Sequence, residues 1–347
     1  TVTSINNTST GVIKANLTTQ DSAYGILGNG ASIGTIINAG LISGSVGADN
    51  NSGFGIFLDS SSSVGTITNS GTITASAGND NAYGIHVDTD SSVGTITNSG
   101  TITASAGNEA NEGYNAYGII VDKRSSVGTI TNSGTIIASA GNDNAYGIFV
   151  DNISTVGTIT NSGTITTSAI GNDDAFGIYV DTNSSVGTIT NSGIITNSAV
   201  DNDAYGIIVD TSSTVDMITN SGTIIASVGD DDAYGIHVDF GSSVGTITNS
   251  GTITTSAVDS EAIGIFVSDT ATIDTLNNSG TISAAAGTTS ATGILIKSNS
   301  AITTLTNNGL IDAISLGADA NGIDMQGDAA TGINTITTLT NTGTISG

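Results

Sequence analysis

Two short signatures keep step along the whole chain. One, Asn-Ser-Gly or a close variant, ends in Gly40, Gly71, Gly100, Gly134, Gly163, Gly193, Gly222, Gly251, Gly280, Gly309 and Gly343. The other, Ala-Tyr-Gly-Ile or a relative, places its glycine at Gly25, Gly55, Gly84, Gly118 and onward to Gly322. Successive copies of the first signature lie 29 to 34 residues apart, most often 29. Two markers sharing one period mean one repeating unit. Within it, residues alternate in short runs broken by Gly, Asn, Ser and Asp, a pattern of about three strands per unit with no helical period. A unit this short cannot enclose a core alone, whereas stacked units bury a continuous column of Ile, Val and Ala. The chain is therefore predicted to be all-β: a parallel, three-sided β-solenoid of about twelve coils with about 29 residues in each. At strand spacing this is a rod on the order of 55 to 60 Å long. It reads as a single continuous solenoid over 1–347, with insertion-bearing coils near 108–115 and 327–331.

Composition agrees with such a stack. Proline is absent, as suits a chain whose backbone N–H groups nearly all donate to a neighbouring strand. The formal charge is −26, from 4 Lys+Arg against 30 Asp+Glu, which argues against nucleic acid as a partner because phosphate binding needs clustered cations. Cysteine is absent too, which removes disulfides and thiolate metal sites and leaves the redox compartment open. No apolar run approaches the roughly 18 residues of a membrane-spanning helix. The first residue is Thr1, with no signal peptide, so a processed form or an excised segment is expected. Both ends are repeat-like, and uncapped they would expose strand edges to flanking sequence or to other copies.

The signature asparagines, Asn69, Asn98, Asn132, Asn161, Asn191, Asn220, Asn249 and Asn278, fall on the inward parity beside a turn. Stacked carboxamides there can hydrogen-bond from coil to coil, which predicts a structural ladder. The glycine after each is expected to permit a turn that a Cβ would oppose.

The stretch GTITNSGTI followed by AYGI resembles the repeats in passenger regions of bacterial autotransporters, the type V secreted surface proteins. The resemblance covers nearly the whole chain. It implies a right-handed β-helix exported to the cell surface and serving adhesion or aggregation.

Four further columns are candidates for function. An acidic column, Asp59, Asp88, Asp122, Asp151, Asp181, Asp210 and Asp239, brings like charges close together, and hard oxygen ligands of this kind suit calcium. The alternative is a solvated, self-repelling face that keeps the rod soluble. A second acidic strip, including Asp80, Asp143, Asp173, Asp174, Asp203, Asp231, Asp232 and Glu261, lies in the loops before the second signature. An outward stripe of Phe57, His86, Ile120, Phe149, Tyr179, Ile208, His237, Phe266 and Leu295 would mark a contact surface if exposed. Paired Thr-x-Thr positions such as Thr95/Thr97 and Thr129/Thr131 resemble the arrays of ice-binding solenoids, although Thr is also an ordinary exposed strand residue. The aromatics Tyr24, Phe54, Tyr83, Tyr117, Tyr146, Phe176, Tyr205 and Tyr234 share the parity of the core residues and are expected to stack inward; a carbohydrate platform is the alternative.

Catalytic signals are sparse. The two histidines, His86 and His237, lie five coils apart and cannot share a site. The cations are Lys14, Lys123, Arg124 and Lys297, two of them near the expanded loop around Glu109 to Tyr114. Carboxylates suited to glycosidase chemistry recur in every coil, while a catalytic pair should be singular. The expectation is a non-enzymatic extracellular or cell-surface bacterial protein: a rigid adhesin, stalk or head-to-tail filament subunit. Its partners would be itself, or a receptor or glycan on a host or neighbouring cell. No cofactor is required, though calcium fits the acidic column. The alternatives are a glycan-active β-helix enzyme and an ice-binding solenoid.

Overall fold

The computed structural model describes residues 1–18, 21–47, 51–107, 113–327 and 332–347. It is a parallel β-solenoid of about eleven turns. Strands that follow one another in sequence belong to three different sheets, and each pairs only with its equivalents one turn away. The first two sheets hold 12 strands each and the third holds 11, with no helix among the described residues. One coil is Ser126–Asn132 in the first sheet, Thr135–Ala140 in the second and Ala145–Val150 in the third. Register is strict: Ile96 pairs with Ile130, Ile102 with Ile136 and Ile119 with Ile148. Identical letters therefore stand over identical letters. The insertion expected near 108–115 lies outside the described residues except for 113–115, and the one near 327–331 except for Gly327.

The core is a set of aliphatic columns running along the axis. Val127 and Ile130 enter from the first sheet, Ile136 from the second, and Ile148 and Val150 from the third. Burying each such side chain contributes roughly 1.5–3 kcal/mol, and the repeat supplies the same group to every turn. Between the second and third sheets the interior narrows to alanines such as Ala104, Ala106 and Ala116.

Each sheet-to-sheet corner has its own chemistry. Between the first and second sheets runs an unbroken carboxamide ladder from Asn7 to Asn341, each Nδ2 donating to the Oδ1 of the next coil's asparagine at 2.7–2.8 Å. The same Nδ2 also donates to a backbone carbonyl of the next coil, as Asn132 does to Thr164 at 3.1 Å. From Asn38 to Asn307 every amide thus both donates to and accepts from a neighbouring rung inside a buried corner. The glycine beside it serves close approach and not an unusual φ. A Cβ on Gly163 would sit 2.1 Å from the Gly134 carbonyl oxygen, while its φ lies outside the left-handed region. The expected turn conformation is thereby corrected: these glycines let adjacent coils touch backbone to backbone.

Left-handed φ recurs at the corner between the third and first sheets, mostly on residues that are not glycine. Pairs such as Thr89–Asp90, Lys123–Arg124, Asn152–Ile153 and Thr182–Asn183 all have φ between 45° and 63°. The aspartate before each pair steadies the turn, its Oδ1 accepting the next backbone N–H at 2.6–2.9 Å in all seven coils of the acidic column. A buried serine ladder completes the corner. Ser62, Ser91, Ser125, Ser154, Ser184 and Ser213 each donate their N–H to the Oγ of the next coil's serine at 3.0–3.2 Å.

Candidate functional site

The outer face of the third sheet carries the densest concentration of unusual side chains. Its aromatic column points outward, correcting the inward placement expected from parity. The alternation slips at the glycine of Ala-Tyr-Gly-Ile. A Cβ on Gly118 would point to Ile136 in the core, and the next residue, Ile119, also lies in the core. Tyr117 and Ile120 therefore share the outer side, where they belong to a separate cluster. Strict period-two counting cannot register such a slip, which the neighbouring coils share in register.

Eight rings from Tyr24 to Tyr234 stack face to face, with centroids 4.6–4.9 Å apart and planes within 15°. The stripe expected to be an exposed contact surface packs alongside them. It does point outward, but His86, Ile120, Phe149, Ile208, His237 and Leu295 are buried, while Phe57, Tyr179 and Phe266 are half-buried. The physical reason is lateral packing: Phe149 lies 4.7 Å from Tyr146 in its own coil and 4.9 Å from Tyr179 in the next. Each ring is covered by its neighbours, so the stripe is a second, outer core.

Two residues beyond the stripe stands the acidic column. Asp88, Asp122 and Asp239 are buried, while Asp59, Asp151, Asp181 and Asp210 are half-buried. Beyond the shared turn contact, relief of their charge differs from coil to coil. Lys123 Nζ reaches Asp88 Oδ2 at 2.9 Å, Asn152 Nδ2 reaches Asp122 Oδ1 at 2.8 Å, and Tyr179 donates to Asp210 at 3.1 Å. Ser268, which occupies the column's next position, donates to Asp239 Oδ1 at 2.6 Å. Burial raises the carboxyls of Asp151 and Asp210, and pushes Asp239 up to about 6.

The histidines lie beside this column in unlike settings. Burial lowers both, His86 to about 4 and His237 to about 3, so both rings are neutral near pH 7. His237 Nε2 meets Ser268 Oγ at 2.9 Å. Among the described residues, neither nitrogen of His86 has a hydrogen-bond partner. Its Nε2 lies 3.9 Å from Asp88 Oδ2, and a ring nitrogen together with one carboxylate oxygen each of Asp88 and Asp122 all fall within 4.8 Å of one another. Sequence spacing paired His86 with nothing, because Asp122 is 36 positions away and adjacent only through the stacking. The cations Lys123 and Arg124 occupy the turn between sheets and reach back one coil, Arg124 gripping Asp90 through two contacts of 2.9 Å.

The loop acids form a further ladder. Asn81, Asn115 and Asn144, followed by Asp174, Asp203 and Asp232, each offer a side-chain oxygen to the backbone N–H of the equivalent residue in the next coil. Where acids replace asparagine the cost is visible. Burial, with Asp203 beside it, pushes Asp174 up to about 7, and burial pushes Asp203 up to about 6.

On the first sheet both threonines of the Thr-x-Thr pairs from Thr66/Thr68 to Thr188/Thr190 face outward and are half-buried, with Ile between them in the core. Beside them, glycines 128, 157 and 187 floor a groove of about 650 Å³ walled by Ser126, Thr155, Ser185 and Thr214 and interrupted by Asp216. No helix among the described residues is long and apolar enough to cross a membrane. Comparison of the chain with protein-family models, with curated proteins and with solved structures yields no match.

Proposed function

We propose that this chain is a non-catalytic structural rod working outside a bacterial cell, as a surface adhesin or stalk or as a filament subunit. The observation that carries this reading is the unbroken register of all three sheets, which presents each outer side chain as a column with one copy per turn. Weak contacts to a repetitive partner then add along the axis, because each engaged coil raises the effective concentration for the next. The partner is a receptor or glycan on another cell, or a further copy of the chain, since an in-register parallel stack can be continued by a second stack. The resemblance to autotransporter passenger repeats supports the location. Electron microscopy of purified protein separates the two versions: isolated rods support a display stalk, and unbranched fibres a filament. Turnover of any member of a panel of neutral and acidic glycans, lost on replacing one loop carboxylate, would overturn the non-catalytic reading.

One arrangement favours a second reading. From Thr66/Thr68 to Thr188/Thr190, five consecutive coils carry both outward threonines in register. Such a flat array of hydroxyls and methyls suits ordering of surface water. Thermal hysteresis in a freezing assay tests it, and its absence removes it.

A further inference from the structure

We propose that His86, Asp88 and Asp122 form a site for one divalent transition-metal ion of the zinc class, and that Lys123 is the tethered cation that holds the place when no metal is bound. The proposal starts from His86. Its ring is buried against Tyr83 and Phe57, yet both of its nitrogens lack a hydrogen-bond partner among the described residues, in a protein whose other buried polar side chains are mostly tied into ladders. A buried imidazole nitrogen without a partner is costly, and a metal ion beside Asp88 and Asp122 would complete one of the two, leaving the other as bare as Nδ1 of His237.

The two carboxylates beside it are set up as ligands. Thr89 N–H holds Asp88 Oδ1 at 2.7 Å, while Lys123 N–H and Asn152 Nδ2 hold Asp122 Oδ1 at 2.6 and 2.8 Å. Each carboxylate thus has its Oδ1 fixed by donors, and the Oδ2 of Asp88 is the oxygen near the His86 ring. Ligands oriented through their other atom are what metal sites require. Lys123 Nζ occupies the Oδ2 of Asp88, but its side chain is 53% exposed and can swing out into water. One imidazole with two carboxylates balances a 2+ charge. The nitrogen donor selects zinc and its transition-metal neighbours over calcium, which prefers an all-oxygen set. Three protein ligands leave a position for water.

The second histidine supplies an internal control. His237 has Asp239 in the same relation as Asp88 to His86, but the position equivalent to Asp122 is Ser268, which bonds His237 Nε2 directly. Of the two histidines, only His86 should therefore hold an ion.

Isothermal titration of chelator-stripped full chain with zinc alone tests this. One equivalent per chain is expected. His86→Phe should weaken binding at least about tenfold. Phenylalanine stands at the equivalent positions Phe57 and Phe149, so the stack accepts it. Asp122→Asn should weaken binding comparably, Lys123→Met should tighten it several-fold, and His237→Phe should change nothing. With only 2 histidines in the chain, ¹⁵N spectra provide a reading that needs no variant: the His86 ring nitrogen shifts on adding zinc and the His237 ring does not. No heat at millimolar zinc, equal shifts at both rings, or binding unaffected by His86→Phe would each overturn the proposal, the last marking ordinary ion capture by an acidic surface.

Discussion

The asparagine corner and the aspartate corner differ by one functional group, and the solenoid treats them in opposite ways. A carboxamide is both donor and acceptor, so each copy satisfies the next, and the ladder runs from Asn7 to Asn341 without change. A carboxylate only accepts, so copies placed at strand spacing repel and each must find its own donor. The protein meets that need one coil at a time, with Lys123, Asn152, Tyr179 or Ser268. Repetition thus reinforces a self-complementary side chain and forces variation around one that is not. Specific chemistry is found at the charged corner for that reason, and His86 belongs to it.

The comparison can be broken most severely by exchanging the groups. Asn161→Asp places a carboxylate against Asn191 Oδ1 and the Ile194 carbonyl, where Asn161 Nδ2 now donates. A loss of about 3–5 kcal/mol at pH 7 is expected in urea denaturation, as for an unpaired buried charge. The buried carboxyl has a folded pKa raised above its unfolded value near 4, so the loss appears as pH rises through that value and fades below it. Asn161→Ala removes the rung without adding charge, and about 1–3 kcal/mol should be lost at any pH in the same assay.

The loop ladder sharpens the point, because it changes from amide to acid partway along. Asp174 ionises at about 7 in the folded chain but near 4 when unfolded, so the native state carries a penalty that grows between those values and is complete above them. Asp174→Asn restores the residue type found at Asn144 and can still accept the Asp203 N–H. A gain of about 1–4 kcal/mol is expected at pH 8, the upper figure being the whole shift at about 1.4 kcal/mol per pH unit, with none below about pH 4, read from paired melts. The smallest effect concerns the exposed Arg124–Asp90 pair: Asp90→Asn should move the melting midpoint by no more than about a degree, and less in high salt.

Legibility in the sequence follows the same division. The three-sided stack, the inward Ile and Val and the asparagine ladder were all readable, because each depends on one residue type recurring at one spacing. The outward turn of Tyr117 was not, since Gly118 and Ile119 both face the core and break the alternation. The serine ladder recurs two positions before each Val, as at Ser91 and Ser125, but serine in a turn carries no mark of burial. The stripe from Phe57 to Leu295 lies on the side of its strand that parity indicates, but its burial is not legible there, because parity gives direction and not cover. The grouping of His86 with Asp122 depends on which coil lies next, and on a corner where each coil differs.

All of these statements depend on equivalent residues standing directly over one another. The chain has no cysteine, so pairs can be introduced and spin-labelled without background. Thr68 and Thr190 are four coils apart in the first sheet, and Thr68 and Thr306 eight. Pulsed electron-spin distances between labels at these outward positions should be roughly 19 Å and 38 Å, one strand spacing per coil. Separations that fail to double, or that scatter broadly, would contradict in-register stacking and every role assigned to a column.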